Sequence, residues 1–104
     1  MKFLPGYSIK YDDGFWADIQ NVIDWYDSIS LQVCNKFLDQ FWFTELRLKE
    51  NPFAFRKVDK TGFRRIVLKQ FPYKLYFRID QTTIFVIALI HSSRSNRYIK
   101  KRLK

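Results

Sequence analysis

The chain has 104 residues, 47% hydrophobic and 19% aromatic, which suits one domain with a real core and excludes a wholly disordered chain. A single cysteine, Cys34, excludes an internal disulfide, and one cysteine with one histidine cannot supply a zinc cluster, so no metal and no cofactor is expected. The net charge of +9 is uneven: residues 1–50 carry five Lys/Arg against eight Asp/Glu (−3), and residues 51–104 carry 14 against two (+12), which points to a polyanionic or acidic partner on the basic half or to a simple soluble basic surface.

Residues 1–6, with Pro5-Gly6, read as a loose lead-in to a single domain over 1–104. Tyr7–Tyr11 alternates and reads as a short edge strand. Asp12 or Asp13 can cap a first helix that runs to about Ser28, with Phe15/Trp16, Ile19, Val22/Ile23 and Tyr26 as its apolar stripe and Asp18, Gln20, Asn21, Asp24 and Asp27 on the wet side. Ser28-Ile29-Ser30 is long enough only for a tight helix–helix turn. Ser30 then caps a second, antiparallel helix over Leu31–Glu50, which Asn51-Pro52 ends because proline cannot continue it. Cys34 falls in the apolar pattern of this helix and reads as a small buried hydrophobe. Phe41, Trp42 and Phe43 stand in a row, and three consecutive residues cannot all face one core. The surplus aromatics are either a seam for a partner or one side of a widely buried helix.

Phe53–Gly62 reads as a loop with Phe53 and Phe55 tucked beneath it. Three strands follow: Phe63–Lys69, Lys74–Asp80 and Thr83–His91. Along the middle strand Leu75, Phe77 and Ile79 point to the core, and Lys74, Tyr76, Arg78 and Asp80 to a wet, basic face. The last strand is apolar on both faces, Ile84, Val86, Ala88 and Ile90 on one and Phe85, Ile87 and Leu89 on the other, and so is central in the sheet. Ser92–Lys104 is a basic tail (95–104 in its outer part) with room for one or two helical turns. The pattern predicts an α+β two-layer domain, an antiparallel helix hairpin on a four-stranded antiparallel sheet. The first residues lack the apolar stretch of a secretory signal, and Ile84–Ile90 is far short of the roughly 20 residues that span a bilayer, so a cytoplasmic protein with no membrane segment is expected.

No glycine-rich phosphate loop or nucleophile elbow is present. Cations are plentiful: Arg64, Arg65, Lys69, Lys74, Arg78 and Arg94. Set beside Tyr76 on a strand face, they form either a footprint for nucleic acid or a macromolecular target, or a solvated edge. The same cations could hold the charge of a phosphodiester under internal attack by a ribose hydroxyl. The scarce item is a base. His91 suits by its intrinsic pKa but is equally well a histidine hydrogen-bonded at a strand end, and Tyr98 is either a stacking group or an anchor for the tail.

Several segments fall in a specific order: Trp25-Tyr26 near the end of the first helix, Glu50-Asn51-Pro52 closing the second, and Arg64-Arg65-Ile66-Val67-Leu68. Phe71-Pro72-Tyr73 with Leu75-Tyr76-Phe77 comes next, and then an Ile/Val-rich strand closing in His91 and Arg94. In this order and spacing the chain resembles, over nearly its whole length, the RelE/ParE superfamily of bacterial type II toxin–antitoxin toxins. The resemblance implies a strand, a helix hairpin, three strands and a short C-terminal segment. It also implies a cognate antitoxin that docks a partly disordered acidic or amphipathic segment, for which the basic half and the surplus Trp42 and Phe43 are the expected contacts.

The superfamily divides. RelE-like members cleave messenger RNA in the ribosomal A site with basic residues of the sheet plus a basic residue and a tyrosine near the C-terminus. On that implication Lys74 stands where an arginine is usual, Tyr98 falls on the tyrosine, and Ser92 departs from the second basic position, flanked by His91 and Arg94. The catalytic candidates are then Lys74, Arg78, His91, Arg94 and Tyr98. ParE-like members lack this set and inhibit DNA gyrase. Trp25-Tyr26, Asn51-Pro52 and Phe71-Pro72-Tyr73 are similar to the ParE side. The expectation is a ParE-like, non-enzymatic gyrase inhibitor. The alternatives are a RelE-like endoribonuclease that meets the ribosome and mRNA, or a non-toxic basic module that binds RNA or protein.

Overall fold

The computed structural model describes residues 6–103, so most of the lead-in expected over 1–6 lies outside the described residues. In chain order the elements are β1 (Ser8–Tyr11), α1 (Asp13–Ile29), α2 (Leu31–Glu50), a 3-10 turn at Pro52–Ala54, β2 (Arg56–Lys57), β3 (Arg64–Val67), β4 (Tyr73–Asp80), β5 (Thr83–His91) and α3 (Asn96–Arg102).

Local chemistry fixes the helix hairpin. Asp12 is extended and accepts from the Gly14 N–H, which caps α1. Ser30 serves both helices: its N–H closes α1 on the Tyr26 carbonyl, and its hydroxyl accepts from Val33 N–H to open α2. Phe15, Ile19 and Val22 from α1 and Phe37, Phe41 and Leu48 from α2 bury against Ile66, Leu75, Phe77, Ile84, Val86 and Leu89 of the sheet. Trp16, expected in the apolar stripe, is exposed, because its position on α1 lies about 100° from Phe15. Phe53, expected beneath its loop, is also exposed and leans on Tyr7 and the Arg64 guanidinium.

The sheet corrects the four-stranded antiparallel expectation. It has five strands in the order β1-β5-β4-β3-β2, and β1 pairs with β5 in parallel, Ser8 opposite Thr83 and Tyr11 opposite Val86. The β2–β3, β3–β4 and β4–β5 pairs are antiparallel. β5 is central, as its two apolar faces predict.

Two further corrections concern the second face of the sheet. First, the register of β4 on β5 shifts between Tyr76, opposite Ala88, and Phe77, opposite Val86, so Ile87 is an extra residue. The faces of β5 therefore do not alternate throughout. Ile84, Val86 and Leu89 join the helix-hairpin core, while Ala88 and Ile90 face the other way. Second, the face expected to be wet is covered in its middle by α3. Ile99 and Leu103 close over Tyr76, Ala88 and Ile90, with Val58, Phe63, Ile87 and Tyr98 at the margin. Tyr76 is 0% exposed and its hydroxyl has no partner among the described residues. Burial raises its pKa, opposed by the nearby Arg65 guanidinium.

Candidate functional site

Where β5 ends, the chain turns at His91 and enters α3, capped by the Ser95 hydroxyl accepting from Tyr98 N–H. This turn carries His91, Arg94 and Tyr98 to one place. Together with Asp18, Asn21 and Val22 of α1, Tyr73 of β4, and Leu89 and Ile90 they line a cleft of about 220 Å³ between α1 and α3. The Arg94 guanidinium lies 4.3 Å from the centroid of the Tyr98 ring. Tyr98 Oη accepts from Arg102 Nη1 at 2.9 Å, and Arg102 Nη2 lies 2.7 Å from Asp18 Oδ2. The same carboxylate oxygen accepts from Leu89 N–H at 2.9 Å. Its hydrogen bond to Arg102 raises the guanidinium pKa further, partial burial opposing.

Asp18 and Arg102 thus hold α3 against the sheet and fix the Tyr98 ring. Sequence reading placed Asp18 on the wet side of α1 and Arg102 in an undifferentiated basic tail. Their pairing spans 84 positions of chain, and nothing local signals it.

His91 is committed. Its Nδ1 accepts from Ser93 N–H at 3.1 Å and lies 2.8 Å from Ser93 Oγ, and its ring stands edge-on to Tyr73 at 5.1 Å. With Nδ1 accepting from Ser93 N–H, the neutral ring carries its proton on Nε2. Burial raises the pKa of Tyr73, and likewise that of Tyr26 beside it. Among the described residues no group of His, Cys, Asp and Glu could hold a metal.

The remaining cations are dispersed. Lys74 is half-buried opposite Ile90, one residue past Tyr73 and on the other face of the sheet from His91. Arg78 is four residues further along β4, about 13 Å away by strand rise, with its guanidinium 4.3 Å from the centroid of the Phe85 ring. Arg64 donates to the Phe55 carbonyl at 2.8 Å and covers Phe53. Arg65 stands on the rung of the buried Tyr76. Lys69 is exposed in the connection after β3. Tyr76, expected as a stacking platform, offers no free ring face, because α3 covers it. The structure therefore brings together His91, Arg94 and Tyr98 and leaves Lys74 and Arg78 outside their cleft.

A second surface lies on α2. Trp42 is 51% and Phe43 52% exposed, as three aromatics in a row require. Leu46, 57% exposed, stands three and four residues on and extends the pair into an apolar stripe. The sequence reading passed over Leu46, although the i, i+3, i+4 spacing marks it. Trp25, Ile29 and Leu31 expose a further apolar group at the hairpin tip.

Residues 9–96 match the family profile described as the ParE toxin of the type II toxin–antitoxin system parDE. Among solved structures, the chromosomal ParDE toxin–antitoxin system of P. aeruginosa superposes with a TM-score of 0.70 at 18% identity, covering 82% of this chain and 95% of that one. A double arginine mutant of the E. coli toxin RelE in the free state gives a TM-score of 0.56 at 15% identity over 93% of this chain and 98% of that one. The isolated E. coli RelE toxin gives 0.53 at 18%, over 91% and 94%. No curated protein sequence matches the chain. No helix among the described residues is long and apolar enough to cross a membrane.

Proposed function

The chain belongs to the ParE toxin family of type II toxin–antitoxin systems, and from that premise we propose that it is a cytoplasmic toxin that inhibits DNA gyrase by binding it and is neutralised by a cognate antitoxin. The observation that carries the non-enzymatic reading is that Lys74 and Arg78 lie outside the cleft of His91, Arg94 and Tyr98, which leaves Arg94 as the one cation of the expected set within it. Phosphodiester cleavage needs a base and cations converging on one reacting atom. Here Arg78 is stacked on Phe85 far along β4, Lys74 lies on the opposite face from His91, and the Nδ1 of His91 is occupied by Ser93. A protein ligand has no such demand; it needs only surface.

The antitoxin reading draws on the apolar stripe of Trp42, Phe43 and Leu46, three large side chains left half-exposed on one helix face. An amphipathic helix laid along this stripe would bury them.

Pulse-labelling after induced expression in a bacterial host tests the target. Arrest of DNA synthesis ahead of protein synthesis, with filamentation, is the expected result. Arrest of protein synthesis first overturns it and turns attention to the cleft of His91, Arg94 and Tyr98.

A further inference from the structure

The two sides of the sheet differ in charge and in what they expose. Leu75, Phe77 and Ile79 of β4 pack on the helix-hairpin core, so Lys74, Arg78 and Asp80 face the α3 side with Tyr76. Register carries this side across the sheet: Arg56 and Arg65 share the rung of Tyr76, and Lys10 of β1 shares that of Phe85 and Arg78. Every strand except β5 thus puts a cation on the α3 side. The helix lies across it, held by Ile99, Leu103 and the Arg102–Asp18 bridge, and adds Arg97, Lys100 and Lys101, all exposed.

Little answers this charge. Among the described residues the ion pairs are Lys49–Glu45 and Arg102–Asp18, so none of these cations is in a salt bridge. Asp80 stands at the end of β4, and Asp59 borders the depression of about 240 Å³ that Arg56 and Arg65 line with Asn96 and Ile99 of α3. Arg56 and Arg65 stand directly opposite on paired strands, where like charges repel. Exposed aromatic rings lie elsewhere. Trp16, Trp25, Trp42 and Phe43 are on α1 and α2, and Phe53 covers Arg64, which shares the rung of Phe77 on the hairpin side. Among the described residues the exposed large apolar side chain on the α3 side is Val67, opposite Lys74.

We propose that the α3 side of the sheet binds the phosphate backbone of duplex DNA without reading its sequence. A protein interface is built on aromatic anchors and is poor in lysine at its centre, which fits the hairpin side instead. A single strand is held by bases stacked on free rings, and here α3 roofs the ring of Tyr76. An RNA duplex is held through its 2′-hydroxyls as well, whereas the exposed side chains of α3, Asn96 apart, are cations. A DNA duplex keeps its bases inside and offers a dense array of phosphates, which asks for spread cations on a stiff support. The same spread that defeats convergence on one reacting atom suits that array. The proposal goes beyond the functional reading above and does not depend on it, since the binding belongs to this face whichever cellular process the protein arrests.

The test titrates the full chain into a fluorescently labelled DNA duplex of mixed sequence and follows anisotropy at several salt concentrations. Log affinity should fall linearly with log salt by about 0.9 for each phosphate neutralised, a slope of about −4 or steeper. Lys100→Gln with Lys101→Gln should weaken binding about ten-fold or more at low salt and flatten the slope by about two, and Arg56→Gln with Arg78→Gln should do the same. Lys36→Gln with Lys49→Gln, both exposed on α2, removes equal charge from the hairpin side and should leave the slope unchanged. An equal loss in that control overturns the proposal, because net charge alone then carries the binding. Tighter binding of the single strand, of an RNA duplex of the same sequence or of an oligoglutamate overturns it too. If a variant fails to melt cooperatively, the unaltered protein decides: a slope shallower than about −2 overturns the proposal, and a steep slope with preference for the DNA duplex upholds it.

Discussion

Asp18 Oδ2 lies 2.7 Å from Arg102 Nη2, and this contact joins the first helix to the last across the edge of the sheet. The pair is largely buried, and Asp18 also caps Leu89 N–H, so the bridge holds α3 over the second core. Arg102→Met should destabilise the fold by about 1–2 kcal/mol, because it leaves a partly buried carboxylate with one donor fewer. Asp18→Asn should cost less, since its amide oxygen still accepts from Leu89. Thermal melts of the two variants and the double variant give the coupling directly.

Tyr76 is the reverse case, a buried hydroxyl with no hydrogen-bond partner among the described residues. Tyr76→Phe removes the unmet polar group and keeps the ring, so stability should rise by up to about 1 kcal/mol. Tyr76→Ala should cost about 3–5 kcal/mol, because the ring fills the space beneath α3. Chemical denaturation of the two variants checks both signs.

Alkaline pH should unfold the protein through its tyrosines. Burial raises the pKa of Tyr26, Tyr73 and Tyr76 above the ordinary 10.0. In the unfolded chain these phenols release their protons near pH 10, while the folded chain still holds them. The unfolded state therefore binds fewer protons there, and stability falls with rising pH. The contribution is intact below about pH 10 and is lost progressively above it. Stability measured across that window should decline, less steeply in Tyr76→Phe.

The apolar stripe on α2 should separate folding from neutralisation. Trp42→Ser with Leu46→Ser changes side chains that are half-exposed, so the melting midpoint should move little. Antitoxin affinity should fall by about 30-fold or more if these are anchor residues. Co-purification with the antitoxin and calorimetric titration measure it.

His91→Ala with Arg94→Ala should leave toxicity in place, with cellular mRNA uncut. Growth curves and primer extension on a reporter message read both. Loss of toxicity with folding preserved would return the ribonuclease reading.

The helix hairpin was legible because its signals are local: Asp12 and Ser30 as caps, Pro52 as a stop, and aromatics at helical spacing. β4 and β5 were legible from their composition. The direction of β1 was not, since alternation in Tyr7–Tyr11 is the same for parallel and antiparallel pairing. β2 was passed over because two charged residues, Arg56 and Lys57, carry no pattern at all. The burial of Tyr76 depends on α3, whose apolar contribution is little more than Ile99 and Leu103 in a run of lysines and arginines. The cleft was half legible: His91, Arg94 and Tyr98 stood near one another in sequence, whereas the Asp18–Arg102 bridge that shapes it is visible only in three dimensions.

The extra residue in β5 has a consequence for how this strand tolerates change. Ile87 acts as a phase shift, so that Val86 and Leu89 answer to the helix hairpin while Ala88 and Ile90 answer to α3. A conservative swap at any one of them tests a single core. Deleting Ile87 would restore strict alternation without turning any residue over: Ala88 would follow Val86 on the opposite face, Leu89 would stay with the helix hairpin and Ile90 with α3. A one-residue deletion at this point is thus absorbed by the fold, whereas the extra residue itself lends the strand a slack that strict alternation would not have.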